Sequence, residues 1–378
     1  MRITRVSAHH LPDDSVLCRI ETDDGLLGWG EATLEGRSDV VAAAVDAAGE
    51  ALVGRDPLRI EDAWQSVARG SYYRGGPVLS SALAGIDNAL WDHAGRRRDE
   101  PVHALLGGRV RESAAAYAWV RWESDADIAA ASIRRLEEGY RAVKIAPLRQ
   151  DDVGSPAGIH HVLSRVAAVR EAVGPDVSVM VDLHGRATFA SARSLLRELE
   201  PLHPLFVEEP LRPDIDASRW RALADVTALP LAAGERVHTR RDFLDLLRAG
   251  VTVLQPDVAH AGGISEARRI ADLAQLWDAG LAPHCPLGPL ALAASVAVSL
   301  TAPNFLIQEQ SLDIHRLALP AWVTSAPALQ TAEGAFVASA HPGLGVEIDD
   351  DLVRRLEPPR HPSRSPSWRA ADGSFAEW

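Results

Sequence analysis

Cysteine is scarce in this chain: Cys18 and Cys285 are its only two, too few for the disulfide framework of a small secreted domain. The amino terminus, Met1-Arg2-Ile3-Thr4-Arg5, lacks the apolar segment of a secretory signal, so a cytoplasmic location is expected. Long hydrophobic runs are also missing. The longest apolar stretch, Leu290 to Leu300, is interrupted by Ser295 and Ser299 and falls well short of the ~20 residues a membrane-spanning helix needs. No membrane anchor is therefore expected. Positive charge is in deficit, with Lys+Arg 39 against Asp+Glu 52 and a formal charge of -13. Such a balance excludes the basic face that a nucleic-acid backbone requires. Heptads, short repeats and Gly-rich phosphate loops are absent.

What the chain does have is bulk. Its 378 residues are 47% hydrophobic, enough for a large core spread over more than one domain. The first third reads as an α+β unit. Alternating apolar residues in Val16 to Ile20, the pair Asp24-Gly25 and then Leu26 to Trp29 spell a hairpin. Two core-facing helices follow, Asp39 to Gly54 and Ser81 to Gly95, each expected to stop at its glycine.

From Ala114 onward short apolar runs alternate with amphipathic helices, the pattern of βα units around a parallel sheet. The expected strands are Ala116 to Val120, Val143 to Ala146, Ser178 to Leu183, Leu205 to Val207, Leu231 to Ala233, Val251 to Leu254, Leu281 to Pro283 and Phe305 to Ile307. Intervening helices include Leu163 to Val173 and Ser265 to Ala279, the latter with Ser265 as N-cap and Gly280 beyond its end. Eight such units favour an α/β closed barrel. The expected division is a capping domain over 1–113, a barrel over 114–320 and a segment over 321–378 that returns to the cap. That last segment is Pro-rich and carries Trp368 and Trp378, side chains that need a surface to cover.

Polar residues follow the strands at regular intervals. Asp182, Glu208, Glu235, Asp257, His284 and Glu309 are 26, 27, 22, 27 and 25 residues apart, close to one βα unit per step. In a parallel barrel all six collect at the C-terminal mouth, where barrel enzymes hold their active sites. Asp182, Glu208 and Glu235 on adjacent strands repel one another strongly unless a cation lies between them. All-oxygen ligation suits a hard ion, and three carboxylates leave room for water and substrate, so Mg²⁺ is the expected metal. His184, two residues past Asp182, is expected on the same side if strand geometry continues. His284 lies one unit beyond Asp257, whose carboxylate is placed to orient the imidazole. The two histidines then read as an acid and a base, both near the ordinary pKa of ~6.5, with a bell-shaped pH profile.

The motifs carry a resemblance. Gly28-Trp29-Gly30-Glu31, Tyr73-Arg74-Gly75-Gly76-Pro77, Val181-Asp182-Leu183-His184-Gly185-Arg186, Val207-Glu208-Glu209-Pro210, Ala233-Gly234-Glu235-Arg236, Gln255-Pro256-Asp257 with His260-Ala261-Gly262-Gly263-Ile264, His284-Cys285-Pro286-Leu287-Gly288-Pro289, Gln308-Glu309-Gln310, Pro342-Gly343-Leu344-Gly345-Val346-Glu347 and Ala376-Glu377-Trp378 together resemble the enolase superfamily. The likeness is to its mandelate-racemase-like branch and, within that, to the galactonate-type acid-sugar dehydratases. It extends over nearly the whole chain.

The resemblance implies a (β/α)₇β modified TIM barrel with an α+β capping domain. It implies Asp182, Glu208 and Glu235 as Mg²⁺ ligands, a His284-Asp257 dyad for proton transfer at C2, and His184 as the acid for the departing 3-hydroxyl. Glu309 is implied to hydrogen-bond the substrate carboxylate. Lys144 stands at the second barrel strand. The family's racemases carry a lysine pair two apart, and the second position here is Ala146, which removes the second base a racemase uses. The cap loops Ala32 to Arg37 and Tyr72 to Pro77 are the candidates for specificity, with Arg37, Tyr73 and Arg74 as substrate contacts. The insert between Lys144 and Asp182, with Asp151-Asp152 and Gly154 to Gly158, is either a third specificity loop or a solvated linker. The expected activity is Mg²⁺-dependent dehydration of a sugar acid to a 2-keto-3-deoxy acid, in a homo-oligomer. Epimerisation of a 2-hydroxy acid, or a barrel that binds sugar acids without turnover, are the alternatives.

Overall fold

The computed structural model describes residues 1–122, 124–148, 155–310, 312, 319–365, 367–369 and 372–376; Asp151, Asp152, Gly154, Glu377 and Trp378 lie outside them. The chain opens with three antiparallel strands, β1 (Ile3–His10), β2 (Val16–Thr22) and β3 (Leu27–Glu31). The first of these was not expected, because its two histidines and polar residues blur the alternation that marks a strand. Four helices follow: α1 (Ser38–Glu50), α2 (Ile60–Arg69), α3 (Pro77–Arg98) and the short α4 (Val102–Leu105).

Two expected helix ends are corrected. The first helix stops at Glu50, four residues before Gly54. The second runs straight through Gly95 and ends at Asp99, a residue in the left-handed region at φ 57°. Gly95 serves proximity, since a Cβ there would sit 2.6 Å from the Gly343 Cα and 2.7 Å from the Glu100 carbonyl oxygen. The carboxyl-terminal chain thereby packs directly on the α3 backbone.

The barrel follows. After β4 (Ser113–Ala115) come β5 (Ala118–Trp119), α5 (Ile128–Glu137), β6 (Ala142–Ile145), α6 (Pro156–Val173), β7 (Ser178–Asp182), α7 (Phe189–Leu199), β8 (Phe206–Glu208) and α8 (Ala217–Ala224). They are followed by β9 (Leu231–Ala233), α9 (Arg240–Arg248), β10 (Val253–Leu254), α10 (Gly263–Leu276), β11 (Gly280–Leu281) and α11 (Pro289–Thr301). The sheet order β11-β10-β9-β8-β7-β6-β5 is parallel throughout. An eighth segment closes the ring: Phe305 bridges Leu281 and Gln308 bridges Ala116, both in parallel. Seven βα units and a final strand segment make a (β/α)₇β barrel. Its interior is filled by Tyr117, Ala142, Met180, Phe206, Ala232, Val253, Ala282 and Ile307, so it is a packed core open only at its ends.

At α10 the sequence expectation also shifts. The helix begins at Gly263 behind Gly262, which has φ 76°, and Ser265 is inside it. The Ser265 hydroxyl donates to Asp87 at 2.6 Å instead of capping its own helix, and Gly280 belongs to β11. Several of the family-like motifs meet at this seam between cap and barrel. The Asn88 side-chain oxygen accepts from Ile264 N–H at 3.0 Å, and Trp64 donates to the Gly262 carbonyl at 2.8 Å. Glu31, buried at the end of β3, accepts from the backbone of Gly288 and Ala291 at the start of α11, where the helix dipole favours an anion.

The remaining elements are β12 (Val323–Ser325), β13 (Thr331–Ala332), β14 (Ala335–Val337), β15 (Glu347–Ile348) and α12 (Asp350–Arg355). β14 pairs with β4 and with β13. Asp350 accepts from Arg19 at 2.7 Å, and Glu347 from Arg96 at 2.9 Å. These ion pairs tie the segment to the cap.

Candidate active site

The C-terminal mouth of the barrel opens into a cavity of about 1800 Å³ between barrel and cap. On its floor the sheet register decides which side chains meet. Asp182 and Glu208 are parallel-paired neighbours at the ends of β7 and β8. Glu235 follows β9 after Gly234, where a Cβ would lie 2.5 Å from the Phe243 ring; this glycine lets the strand end turn inward against α9. One carboxylate oxygen of each acid lies within 4.8 Å of the others. Burial pushes Asp182 and Glu208 up to about 7 and raises Glu235. Asp182 Oδ2 is buried with no hydrogen-bond partner. A cluster of buried carboxylates that resists ionisation suits a small hard cation: the donor set is all oxygen and holds no thiol or imidazole.

Lys144, rising from β6, is completely buried and already supplies one positive charge to this cluster. Its Nζ donates to both Glu208 oxygens at 2.7 and 2.8 Å and lies 3.0 Å from Glu309 and 3.8 Å from Asp182. Burial works against its charge, but Glu208 and Glu309 overcome that and hold it protonated well above the usual lysine range.

Both histidines reach the floor. His284 Nδ1 is 2.8 Å from Asp257 Oδ2, and its Nε2 points toward Glu235 at 3.5 Å and Glu309 at 3.8 Å. His184 arrives by a different route from the one expected. The strand ends at Asp182, and His184 adopts φ 49°, so a left-handed turn aims the ring. Its backbone N–H donates to Asp182 Oδ1 at 2.8 Å, and Nε2 lies 3.1 Å from Oδ2. The matched pKa values expected for the two rings are not found. Burial lowers His184 to about 4. At His284 burial also opposes charge, but Glu309, Asp257 and Glu235 outweigh it and raise the ring well above its usual value. One mouth therefore holds the two imidazoles in opposite states, His284 charged and His184 neutral, the reverse of the base and acid states that the sequence reading assigns to them.

Glu309 is fixed from three sides, by Lys144, by Cys285 N–H at 3.0 Å and by Trp119 Nε1–H at 2.7 Å. Burial tends to raise it, but Lys144 and His284 bring it down to about 2. Trp119 is the residue that sequence reasoning missed. Its ring stacks on His184 with centroids 6.1 Å apart and planes 10° off parallel, and Lys144 Nζ lies 4.4 Å from the ring centroid. A tryptophan in a short barrel strand reads as core, and only the position of β5 beside the closing segment reveals it as part of the mouth. His260, also at the mouth, holds Ser81 of α3 at 2.9 Å and lies 3.8 Å from Asp257.

The cap residues expected at the site do not join it. Thr33, Leu34, Glu35, Gly36 and Pro77 line the cavity, while Arg37, Tyr73 and Arg74 are not among its lining residues. Arg37 and Arg74 are exposed, and Tyr73 is 80% exposed with its ring against Tyr72.

Comparison with known proteins agrees with this architecture. Residues 3–107 match the mandelate racemase / muconate lactonizing enzyme N-terminal domain, and residues 127–352 match the enolase C-terminal domain-like family. A D-galactonate dehydratase from Variovorax paradoxus is 44% identical over the whole of both chains, and one from Cronobacter sakazakii is 43% identical over the same extent. Among solved structures, an enolase from Agrobacterium radiobacter with bound sodium and L-malate superposes with a TM-score of 0.91 at 32% identity, covering both chains completely. A member of the enolase superfamily from Salmonella Typhimurium gives 0.87 at 28% identity, covering 94% of this chain and 98% of its own.

Proposed function

Because the chain belongs to the enolase superfamily, in the mandelate racemase / muconate lactonizing enzyme family, we propose that it is a hydro-lyase acting on a sugar acid of the D-galactonate kind. The observation that carries the reading is the company the three carboxylates keep: one oxygen of each lies within 4.8 Å of the others, His284 stands 3.5 Å from Glu235, and His184 stands 3.1 Å from Asp182. The full-length identity to D-galactonate dehydratases supports the substrate class.

In this reading Asp182, Glu208 and Glu235 hold Mg²⁺. When bound, the ion supplies positive charge that acidifies the proton beside the substrate carboxylate and offsets the Glu235 charge facing His284. His284 Nε2 takes the C2 proton, while Asp257 fixes the ring through Nδ1. Glu309 and Lys144 face the substrate carboxylate, onto which the electron pair from the C2–H bond spreads. The C3–O bond then breaks, and the hydroxyl leaves as water with a proton delivered by His184, a role that requires the ring to take up that proton against the burial that otherwise keeps it neutral. The enol formed between C2 and C3 tautomerises to the 2-keto-3-deoxy acid. Balance requires one base and one acid with no second base, which agrees with Ala146 at the site's edge where a racemase of this family has lysine.

The test is a screen of four-, five- and six-carbon aldonic and aldaric acids, reading 2-keto-3-deoxy product by semicarbazide absorbance. Turnover confined to one stereochemical series and lost with EDTA is expected. His284→Asn should abolish both solvent-deuterium exchange at C2 and product formation. His184→Asn should keep exchange while losing dehydration. Racemised substrate without keto product would replace dehydration with epimerisation.

A further inference from the structure

The carboxyl-terminal chain has a feature that neither the barrel chemistry nor the cap explains. Beyond Val353 every described residue is exposed or half-buried, and of these Leu356 packs against the core, so the stretch after it adds little to the core. It is nevertheless held in place. Ser363 N–H donates to Asp14 at 3.0 Å, Arg364 makes two hydrogen bonds to Asp39 at 3.1 and 2.8 Å, and a Cβ on Gly36 would lie 2.5 Å from the Ser365 hydroxyl. These contacts guide the chain off the cap and across the cavity. Trp368 then rests with its ring centroid 6.0 Å from the guanidinium carbon of Arg186, two residues past His184.

Past that point the chain folds back. Arg369 and Phe375 form an antiparallel bridge, Ala376 N–H donates to the Trp368 carbonyl at 3.1 Å, and Gly373 turns at φ 84°. This places Trp368 and Phe375 on the lining of the same cavity whose floor carries Asp182, Glu235 and both catalytic-site histidines. The exposure runs in one direction: Asp182 is 1% exposed, Trp368 37% and Phe375 71%. The aromatic pair is therefore the solvent-open part of the lining, and the carboxylates its enclosed part. Each ring is faced by an arginine, Trp368 by Arg186 at 6.0 Å and Phe375 by Arg369 at 4.3 Å, and both rings remain exposed to the cavity. Aromatic faces suit the C–H faces of a polyhydroxylated chain, with the hydroxyl edges left to water.

We propose that this strap determines substrate length: Trp368 and Phe375 form a wall that binds the carbons of the sugar acid remote from its carboxylate. The proposal rests on the sugar-acid reading of the site. It assigns to the carboxyl terminus a discrimination that the sequence alone assigned to the loops around Arg37 and Tyr73. Arg186 positions the Trp368 ring and is a positioning residue for the wall.

The experiment compares Trp368→Ala, Phe375→Ala and Trp368→Phe with the native protein, at saturating Mg²⁺, on a six-carbon aldonate and a four-carbon acid of matching C2–C3 stereochemistry. The ratio of kcat/KM for the longer over the shorter acid should fall about tenfold in Trp368→Ala, the discrimination a small apolar contact commonly carries. The loss should reside in KM for the six-carbon acid, and Trp368→Phe should restore most of it. An unchanged ratio, or a parallel fall for both acids, overturns the proposal, because a merely structural strap would lower both together. Calorimetric binding of the six-carbon aldonate and of L-malate separates this from the activity. If the native protein turns over neither acid, the dehydratase reading fails, while a six-carbon preference in binding that disappears in Trp368→Ala still supports the wall. Native protein that binds the longer acid no better than L-malate overturns it.

Discussion

Replacing Lys144 with methionine keeps the length of the side chain and removes its charge. In the native chain the ammonium sits at 0% exposure, 2.7 and 2.8 Å from the Glu208 oxygens and 3.0 Å from Glu309. Its removal leaves two buried carboxylates facing each other without a counter-charge. Breaking a buried ion pair by deleting one partner costs about 3–5 kcal/mol. With an unfolding entropy of about 2.1 cal/mol/K per residue and 378 residues, the whole-chain value is about 0.8 kcal/mol/K. The melting temperature in EDTA should thus fall by about 4–6 °C. Magnesium should reverse part of this, because an ion that binds only the folded cluster stabilises it by mass action, and the oxygens that Lys144 occupies become free to take the ion. The Mg²⁺-induced rise in melting temperature is therefore expected to be larger in Lys144→Met than in the native protein, and calorimetric Mg²⁺ binding tighter. A variant that melts within a degree of native in EDTA would refute the assignment of Lys144 as the resident counter-cation of the acidic cluster.

Trp119→Phe keeps a ring over His184 and deletes the 2.7 Å hydrogen bond to Glu309. A hydrogen bond to a buried charge contributes about 1.5–3 kcal/mol, so kcat/KM should drop roughly ten- to a hundredfold, and a change within twofold would remove Trp119 from the site. Gly95→Ala gains helix propensity but drives a Cβ to 2.6 Å from the Gly343 backbone. Neither chain can yield, so a net loss of about 1–3 kcal/mol is expected in denaturant titration, and a stabilised variant would show that α3 and this turn separate freely. Asp87, pushed up to about 7 by burial in spite of the two hydrogen bonds it accepts from Ser265, keeps its proton in the folded chain over a range where the unfolded chain has lost it. Its contribution to stability is complete below about pH 4 and is lost as pH rises toward 7. The native denaturation midpoint should accordingly fall between pH 5 and 8 more steeply than that of Asp87→Asn; equal slopes would show that the group is ionised throughout.

The barrel and its floor were legible because they repeat. A carboxylate that ends a β-strand is fixed in space by the strand, and six polar residues at one-unit intervals can converge only if the units are equivalent. The parallel pairing of Asp182 with Glu208 realises that convergence. Residues borne by loops have no such constraint. Tyr73 and Arg74 stand in a Gly-rich turn beside Pro77, and Pro77 lines the cavity, yet before the turn through Gly75 and Gly76, both at positive φ, the two side chains are exposed and outside the lining. Gly95 was misread because its role is proximity: it admits the Gly343 backbone instead of ending a helix. Trp119 was hidden for the opposite reason, since a tryptophan in a strand has an ordinary explanation in the core.

The least legible feature is how the strand ends stop. His184 at φ 49° and Glu209 at φ 40° both adopt the left-handed region directly after β7 and β8. For residues with a Cβ this costs about 1–2 kcal/mol each, so local propensity argues against it. The surrounding contacts impose it. His184 N–H is taken by Asp182 Oδ1 at 2.8 Å, Gly185 N–H by the Glu209 carbonyl at 2.7 Å, and the Glu209 carboxylate by Arg236 at 2.9 Å. The two turns thus brace each other across adjacent strands, and the clustered acids Asp182 and Glu208 end the strands from which the turns depart. A continued strand would carry residue 184 along the barrel axis, away from the floor. The strained turn instead folds it back over Asp182, so the His184 ring and the Asp182 carboxylate share one rigid backbone unit, and their separation cannot drift independently of the acidic cluster.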